Sequence, residues 1–334
     1  MAGIANLAPD ECRARILLSI LSEPDDAITG RVLAREGGIE TIRLLEGDGA
    51  VPGLNRVDAQ VWRDRLALQH RLEDVAERMR GIEHSGIATV IPGDTHWPPA
   101  LNDLGDRAPY VLWARGATSF LARPTADLVT ATGARAATAY GEHVASQIAG
   151  DLSRGERVVA AGGAYGIEGA AHRAALASGG DTIAVLANGV DRPYPAGHRE
   201  LLDRIADVGL LVSEVPPGSV PTRQRFLARG RLMAALSGST VVVEAGVRSG
   251  ALHTAVEAQR LGRSVGAVPG PVTLVTSSGP HMLLRNGTAH LVTDGRDVED
   301  LINRAPGRGA DRAALRPEFA HRPVPSTDKP TRSM

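Results

Sequence analysis

The chain has 334 residues, a formal net charge of −1 and 43% apolar residues, enough for one large or two modest domains with a substantial core. The near-zero charge excludes a protein that coats DNA through overall basicity, and the single cysteine, Cys12, excludes a disulfide framework or a cysteine metal site. Residues 1–21 lack the pattern of a signal peptide, and no apolar run reaches membrane-spanning length, so we expect a cytoplasmic protein.

Residues 1–84 are predicted to form a small helical module. A Pro-Asp-Glu start at residues 9–11 precedes apolar residues at helical spacing, and a second helical stretch covers 57–82. Residues 85–124 form a transition with short strand candidates at 88–91 and 110–113. Nothing in the helical module suggests chemistry.

From about residue 126, continuous apolar segments alternate with helical ones. This alternation is typical of β-α units whose parallel strands are buried on both faces. The predicted strands are 128–132, 158–161, 182–186, 210–212, 240–243, 265–268 and 290–292, and the predicted helices are 139–152, 167–177, 199–206 and 252–261. We therefore predict an α/β domain over 85–303 with a mainly parallel sheet, whose ligands bind at the carboxyl ends of the strands. Residues 304–334 carry seven Arg or Lys against three Asp or Glu without periodicity, and are predicted to be a disordered basic tail.

Three predicted strands run through small-residue turns into helices. The turns lie at 132–135 (Thr-Gly-Ala-Arg), 161–168 (Ala-Gly-Gly-Ala-Tyr-Gly-Ile-Glu) and 244–251 (Glu-Ala-Gly-Val-Arg-Ser-Gly-Ala). A helix start offers free N–H groups and the positive end of the helix dipole, which favour phosphate. Because helix starts that follow parallel strands can face one crevice, the turns together predict a phosphate site, although each alone could be a tight turn without ligand.

A fourth segment, residues 223–231, interleaves four arginines with Phe226. This composition suits a single nucleic-acid strand, since arginine binds the backbone and an aromatic ring stacks on a base. The alternative is a solvated arginine-rich loop in which Phe226 anchors the core.

Acid–base machinery is sparse. Glu214 and Glu244 follow predicted strands, but no nucleophile or base is paired with them, and no G-x-S-x-G motif is present. His172 lies within a predicted helix without a second ligand at metal spacing. We expect a binding protein with no catalytic residues, no metal and no cofactor.

These segments, in this order, resemble the DNA-processing A (DprA/Smf) family, as do residues 182–195, 213–218 and 268–270. The resemblance runs from about 85 to 303, and the helical start fits as a SAM/HhH-like module. It implies an extended Rossmann-like, doubly wound fold that binds single-stranded DNA without hydrolysis. It also implies a homodimer that protects incoming DNA and loads the RecA recombinase onto it in natural transformation and recombination.

The resemblance places the arginine of the first turn and the phenylalanine and basic residues of the fourth segment in the DNA pocket, with the Gly-rich turns as backbone donors. The predicted nucleic-acid-binding residues are Gly133, Arg135, Gly163, Gly166, Arg225, Phe226, Arg229, Arg231, Ser249 and Gly250.

The chain departs from the family pattern at four positions. Leu227 and Gly230 stand where the fourth motif has Pro and Asn, and Ala161 and Glu168 stand where the second has Ser and Asp. Loss of the Asn side chain is expected to remove polar contacts at the pocket and to affect affinity more than fold.

Two alternatives use the same pocket. A nucleotide-processing enzyme would cleave nucleoside monophosphates, but the P-G-G-x-G-T-x-x-E motif of such proteins is absent around Glu244. A nucleotide-sensing paralogue would bind a small signal instead of DNA, and the departures at Gly230 and Glu168 favour it.

Overall fold

The computed structural model describes residues 4–67 and 72–304, so the predicted tail lies, apart from Arg304, outside the described residues. The strands within these residues are β1 (Ala88–Val90), β2 (Leu112–Gly116), β3 (Leu128–Thr132), β4 (Val158–Ala161), β5 (Thr182–Leu186), β6 (Leu210–Ser213), β7 (Ser239–Val242), β8 (Ser264–Ala267) and β9 (His290–Leu291). The helices are α1 (Glu11–Leu21), α2 (Ala27–Glu46), α3 (Arg56–Ala67), α4 (Leu72–His84), α5 (Ala139–Arg154), α6 (Ile167–Ala177), α7 (Arg199–Val208), α8 (Arg223–Leu236), α9 (Gly250–Arg260), α10 (Ser278–Arg285) and α11 (Gly295–Arg304). None of these helices is long and apolar enough to cross a membrane.

The strands form one sheet in the order β1-β2-β6-β5-β4-β3-β7-β8-β9. Pairing is parallel from β6 to β9, whereas β1–β2 and β2–β6 are antiparallel. The chain runs outward from β3 through β4 and β5 to β6, then returns to place β7 on the other side of β3. This reversal is the topological switch point of an extended Rossmann-like sheet, and the predicted fold class is confirmed.

The predicted β-α alternation matches the observed strands closely, and the differences lie at β2, at α8 and at the last two helices, α10 and α11, which were not predicted. Strand β2 starts at Leu112 rather than at residue 110, because its antiparallel register with β6 runs from Trp113 opposite Ser213 to Gly116 opposite Leu210. The arginine-rich fourth segment, which was given no element from the sequence, opens helix α8. Thr222 caps this helix by accepting a hydrogen bond from the Arg225 N–H.

The helical module and the sheet share a hydrophobic core. Buried side chains of α1 to α4, such as Leu17 and Trp62, belong to one cluster with Trp113 on β2, Leu186 on β5 and Ile205 on α7. The module therefore covers one region of the sheet by direct packing, and its separation into a domain at residue 84 stays a prediction.

His172 on α6 is fully buried, and its Nδ1 lies 2.8 Å from the hydroxyl of Thr182. Burial lowers its pKa to about 3, and the neighbouring side chains of His198, Arg173 and Arg229 act in the same direction. The folded protein therefore holds His172 neutral, whereas the unfolded chain binds a proton below its ordinary pKa of about 6.5.

We expect the free energy of unfolding to fall by about 2 kcal/mol between pH 7 and pH 5 because of His172, since acid favours the unfolded state. Urea unfolding at several pH values measures this. The variant His172→Gln, which has no titrating group, should show a shallower pH dependence over that interval. Equal slopes for both proteins would contradict the prediction.

Candidate nucleic-acid interface

The reversal between β3 and β7 opens a cavity of about 660 Å³ at the carboxyl edge of the sheet. All four segments singled out from the sequence contribute to its wall, the second through Ala164 and Glu168. Six of the ten predicted binding residues line the cavity, namely Gly133, Arg135, Phe226, Arg229, Ser249 and Gly250. Open α/β sheets bind ligands in a crevice of this kind.

The turn after β3 is held by backbone contacts that require glycine. A Cβ on Gly133 would lie 2.6 Å from the Ile167 side chain and 2.7 Å from the Glu244 carbonyl oxygen. The next residue, Ala134, donates its N–H to the same carbonyl, and its own carbonyl accepts from the Ile167 N–H at 3.2 Å. The turns after β3, β4 and β7 are thereby joined into one rigid edge.

The turn after β4 uses its glycines for conformation and not for lining the cavity. Gly166 has a φ of 70°, and a Cβ there would lie 2.3 Å from the Ala134 carbonyl oxygen. Gly163 has a φ of 75° and faces Leu202 of α7. Neither glycine is among the residues that line the cavity, so the structure gives both a role in shaping the turn.

Phe226 lies at the cavity wall, half-buried, and outside the hydrophobic clusters of the described residues. The guanidinium carbon of Arg135 stands 4.2 Å from the ring centroid, and that of Arg229 stands 5.5 Å away. These are cation–π distances. The interpretation of Phe226 as a core anchor is therefore not supported, and the residue lines the cavity beside two cations.

Arg229 and Glu168 form the floor of the cavity. Arg229 donates to the Gly162 carbonyl at 2.9 Å and to the Glu168 carboxylate at 3.0 Å. The carboxylate also accepts from the Thr132 hydroxyl and the Ala164 N–H, both at 3.1 Å. Glu168, which is longer than the Asp of the family pattern, thus reaches Arg229 and offsets its charge. The floor of the cavity is therefore rigid and close to neutral.

Arg225 and Arg231 are not at the cavity, in contrast to the prediction. Arg225 makes a two-point ion pair with Glu23 of the helical module, at 2.8 and 2.7 Å. Arg231 is fully buried and makes a two-point ion pair with Glu214, at 2.7 and 2.6 Å. Arg231 is thus closed off from solvent, and Arg225 is held by Glu23 and the Val220 carbonyl, so both arginines fix α8 to its neighbours. A role of Arg225 in DNA binding stays a prediction.

Two arginines that were not among the predicted binding residues do line the cavity. Arg223 opens α8, and Arg248 lies in the turn after β7. Together with Arg135 they are exposed, and none of the three is within ion-pair distance of a carboxylate in the described part of the chain. Ser249 caps α9 through its hydroxyl, so the positive end of that helix also faces the cavity.

Gly230 permits close packing of α8 on α9. A Cβ at this position would lie 2.7 Å from the hydroxyl of Thr254, which is buried and lines the cavity. The asparagine of the family pattern would therefore collide with the Thr254 side chain. The Thr254 hydroxyl of helix α9 lies at this part of the cavity wall. A polar group therefore remains there although residue 230 is glycine and not asparagine.

We expect Gly230→Asn to destabilise the protein by about 1–3 kcal/mol, the usual cost of overpacking. The further change Thr254→Ala should recover most of that loss, because it removes the atom that a side chain at 230 would meet. Urea unfolding of the two single variants and the double variant tests the coupling. Additive effects would show that the two positions do not compete for the same space.

The strand-end carboxylates are occupied by structural hydrogen bonds. Glu244 is buried and accepts from the Thr138 N–H at 2.9 Å and from its hydroxyl at 2.6 Å, and Glu214 is bound to Arg231. Among the described residues, no cluster of His, Cys, Asp and Glu has the arrangement of a metal site. The geometry around Glu244 therefore offers no support for the nucleotide-processing alternative.

The fold and the cavity define a Rossmann-like α/β protein with a cationic crevice at its topological switch point. Residues 88–304 match the family model described as DNA recombination-mediator protein A, and the chain belongs to that family. A DNA processing protein DprA of Mycobacterium tuberculosis is 48% identical over 301 residues, which cover 87% of this chain and 75% of that protein.

Two solved structures share the fold. DNA processing protein A from Streptococcus pneumoniae superposes with a TM-score of 0.70 at 31% identity, over 86% of this chain and 96% of that one. DNA processing protein A from Helicobacter pylori, described for its single-stranded DNA binding mode, has a TM-score of 0.59 at 28% identity, over 66% and 97%.

Proposed function

We propose that this chain binds single-stranded DNA in the switch-point cavity, without hydrolysing it. The observation that carries the proposal is that three arginines, Arg135, Arg223 and Arg248, line the same cavity as Phe226 and have no carboxylate partner among the described residues. Arginine binds phosphate through its planar fork, and an aromatic ring stacks on any base.

The charge distribution orients the strand. Because Glu168 offsets Arg229 at the floor, the net positive charge lies at the rim with Arg135, Arg223 and Arg248. Phosphates are therefore expected at the rim, and a base is expected to point inward against Phe226. A duplex keeps the faces of its bases stacked, so it cannot present one to this ring.

Binding should be tested by fluorescence anisotropy with single- and double-stranded oligonucleotides over a range of salt. We expect preference for the single strand, with log affinity falling by about 0.7 per neutralised phosphate for each decade of salt. Removing one rim arginine, as in Arg248→Ala, should make this slope shallower by about 0.7 if that guanidinium contacts one phosphate.

The matched control is Arg56→Ala, which removes one exposed arginine from the start of α3, in the helical module. Its salt slope should equal that of the unaltered protein. Equal binding of single strands and duplexes, or no binding at low salt, would contradict the proposal. A larger shift in melting temperature with a mononucleotide than with an oligonucleotide would favour the nucleotide-sensing alternative instead.

The cellular role follows from family membership and is part of the proposal. The chain would act as a homodimer that protects incoming single-stranded DNA and loads RecA recombinase onto it during transformation and recombination. Sedimentation analysis tests the dimer. RecA ATP hydrolysis on DNA covered by a single-strand-binding protein tests loading, with stimulation expected and no change as the contrary result.

A further inference from the structure

Exposed aromatic rings gather at one edge of the sheet. The chain has only four tyrosines, and three of them are more than two-fifths exposed, namely Tyr140 (42%), Tyr165 (46%) and Tyr194 (41%). All three follow strands at the carboxyl edge, where the cavity opens. Tyr165 follows β4 and Tyr194 follows β5, so these two lie on the side of the cavity away from β7.

Tyr194 continues the aromatic surface of the cavity. Its ring centroid lies 6.0 Å from that of Phe226, with the two planes inclined by 55°. Phe226 itself is covered on one side by Arg135. The three side chains form a continuous path of cation and rings from the cavity towards the end of β5.

Tyr165 is seated firmly although it is exposed. Its ring meets the imidazole of His198 edge-on at 4.7 Å, and its hydroxyl lies over Gly197, where a Cβ would be 2.5 Å away. His198 is in turn buried and bonded to the Gly163 carbonyl at 2.9 Å. A ring held in this way loses little conformational entropy when a base stacks on it.

Cations accompany both rings. Arg192 lies two residues before Tyr194, is exposed and forms no ion pair with the described residues. Arg173 is exposed beside His198, with 3.4 Å between a guanidinium nitrogen and the imidazole Nε2. Exposed rings beside cations that have no carboxylate partner among the described residues are the two elements of a platform for a single strand.

We propose that Tyr165 and Tyr194 form a stacking track for further bases of the same strand, beyond the cavity and across the ends of β4 and β5. The proposal rests on the proposed function. It adds the direction in which the strand leaves the cavity and the minimum strand length that reaches both tyrosines. A short oligonucleotide fills the cavity alone, and only a longer one reaches both tyrosines. Each ring should strengthen binding of the longer strand by roughly tenfold, within the range known for base–aromatic stacking.

The test is a length series of labelled oligothymidylates, from about 4 to about 16 nucleotides, which spans known site sizes for single strands. Because Tyr194 adjoins Phe226, the double variant Tyr165→Leu with Tyr194→Leu should lose at most about tenfold in affinity for the shortest strand, whereas it should bind the longest strand about a hundredfold more weakly. Tyr165→Phe with Tyr194→Phe keeps both rings and should bind all lengths normally.

Tyr140→Leu is the matched control, because Tyr140 is equally exposed but donates its hydroxyl to the Pro269 carbonyl on the β8 side. It should leave the length series unchanged. Abasic positions in the distal half of a long strand should reproduce the loss with the unaltered protein, independently of any effect of substitution on folding.

The outcomes separate the two proposals. If the unaltered protein binds no single strand, the proposed function fails. If it binds, and the double leucine variant binds every length equally well, the function stands and the track is wrong. A loss of equal size for short and long strands would place the rings within the cavity site and would also overturn the track.

Discussion

Replacing Arg135 and Phe226 by alanine together is expected to lower the affinity for single-stranded DNA by at least about a hundredfold. Stacking of one base on an aromatic side chain is worth roughly 1–3 kcal/mol, and loss of a rim guanidinium removes one phosphate contact in addition. The two side chains contact each other, with 4.2 Å between the guanidinium carbon and the ring centroid, so the double variant removes them as a unit. Anisotropy titration at low salt measures the loss.

Neither residue belongs to a hydrophobic cluster of the described chain, so the thermal stability of the double variant should stay close to that of the unaltered protein. Phe226→Leu is the matched control, because it keeps an apolar side chain at the wall and removes only the ring. It should lose affinity by about the stacking contribution alone. Unchanged affinity of the double variant would show that DNA does not enter this cavity.

The change Glu214→Gln is expected to destabilise the protein by about 3–5 kcal/mol. Glu214 is buried and accepts two hydrogen bonds from Arg231, which is fully buried. The amide keeps the shape of the side chain but leaves the guanidinium short of a counter-charge in the interior. Burial by itself would lower the pKa of Arg231, but the Glu214 carboxylate, together with that of Asp25, holds this pKa above its ordinary value.

Urea unfolding of Glu214→Gln, Arg231→Met and the double variant measures this coupling. The double variant should be more stable than Glu214→Gln alone, because an apolar side chain replaces the uncompensated charge. A loss below about 0.5 kcal/mol for Glu214→Gln would show that other groups neutralise Arg231. Asp25, whose carboxylate lies 3.1 Å from the Arg231 Nε, is the first candidate.

This ion pair also connects the helical module to the cavity. Asp25 of the module makes an ion pair with Arg107 at 2.6 Å, and its carboxylate also lies 3.1 Å from Arg231 of helix α8. Glu23 of the module makes an ion pair with Arg225, which lies on helix α8 as well. Helix α8 carries Phe226 and Arg229, so the contacts from the module help to position these two cavity-lining side chains. Arg225 and Arg231, which were predicted to contact DNA, instead fix the position of this helix through their ion pairs with Glu23 and Glu214.

The strands and turns were predictable because they depend on local patterns. Continuous apolar runs such as 128–132 and 182–186 are buried on both faces, and parallel strands of a doubly wound sheet require this. Gly133 and Gly166 were recognisable as turn residues, since close backbone approach and positive φ favour glycine.

The roles of the arginines in 223–231 were not predictable while that segment was treated as a loop. In helix α8 each residue is rotated by about 100° from the last, so Arg223 and Phe226 share a face while Arg225 points elsewhere. Helical spacing groups residues 223, 226 and 227 on one face, but it does not separate Arg225 from Arg229, which is four residues later on the same side of the helix and lines the cavity. It does not identify the partners, because Glu23 and Glu214 lie far away in the chain.

The sequence by itself therefore determined the α/β class, the family and the segments that meet at the cavity. Only the tertiary structure decided which arginines face it. Burial and the nearest carboxylate set the availability of a guanidinium group, and both depend on contacts between residues that are distant in sequence. Arg225, Arg229 and Arg231 are paired with Glu23, Glu168 and Glu214, whereas Arg135, Arg223 and Arg248 line the crevice without such partners among the described residues.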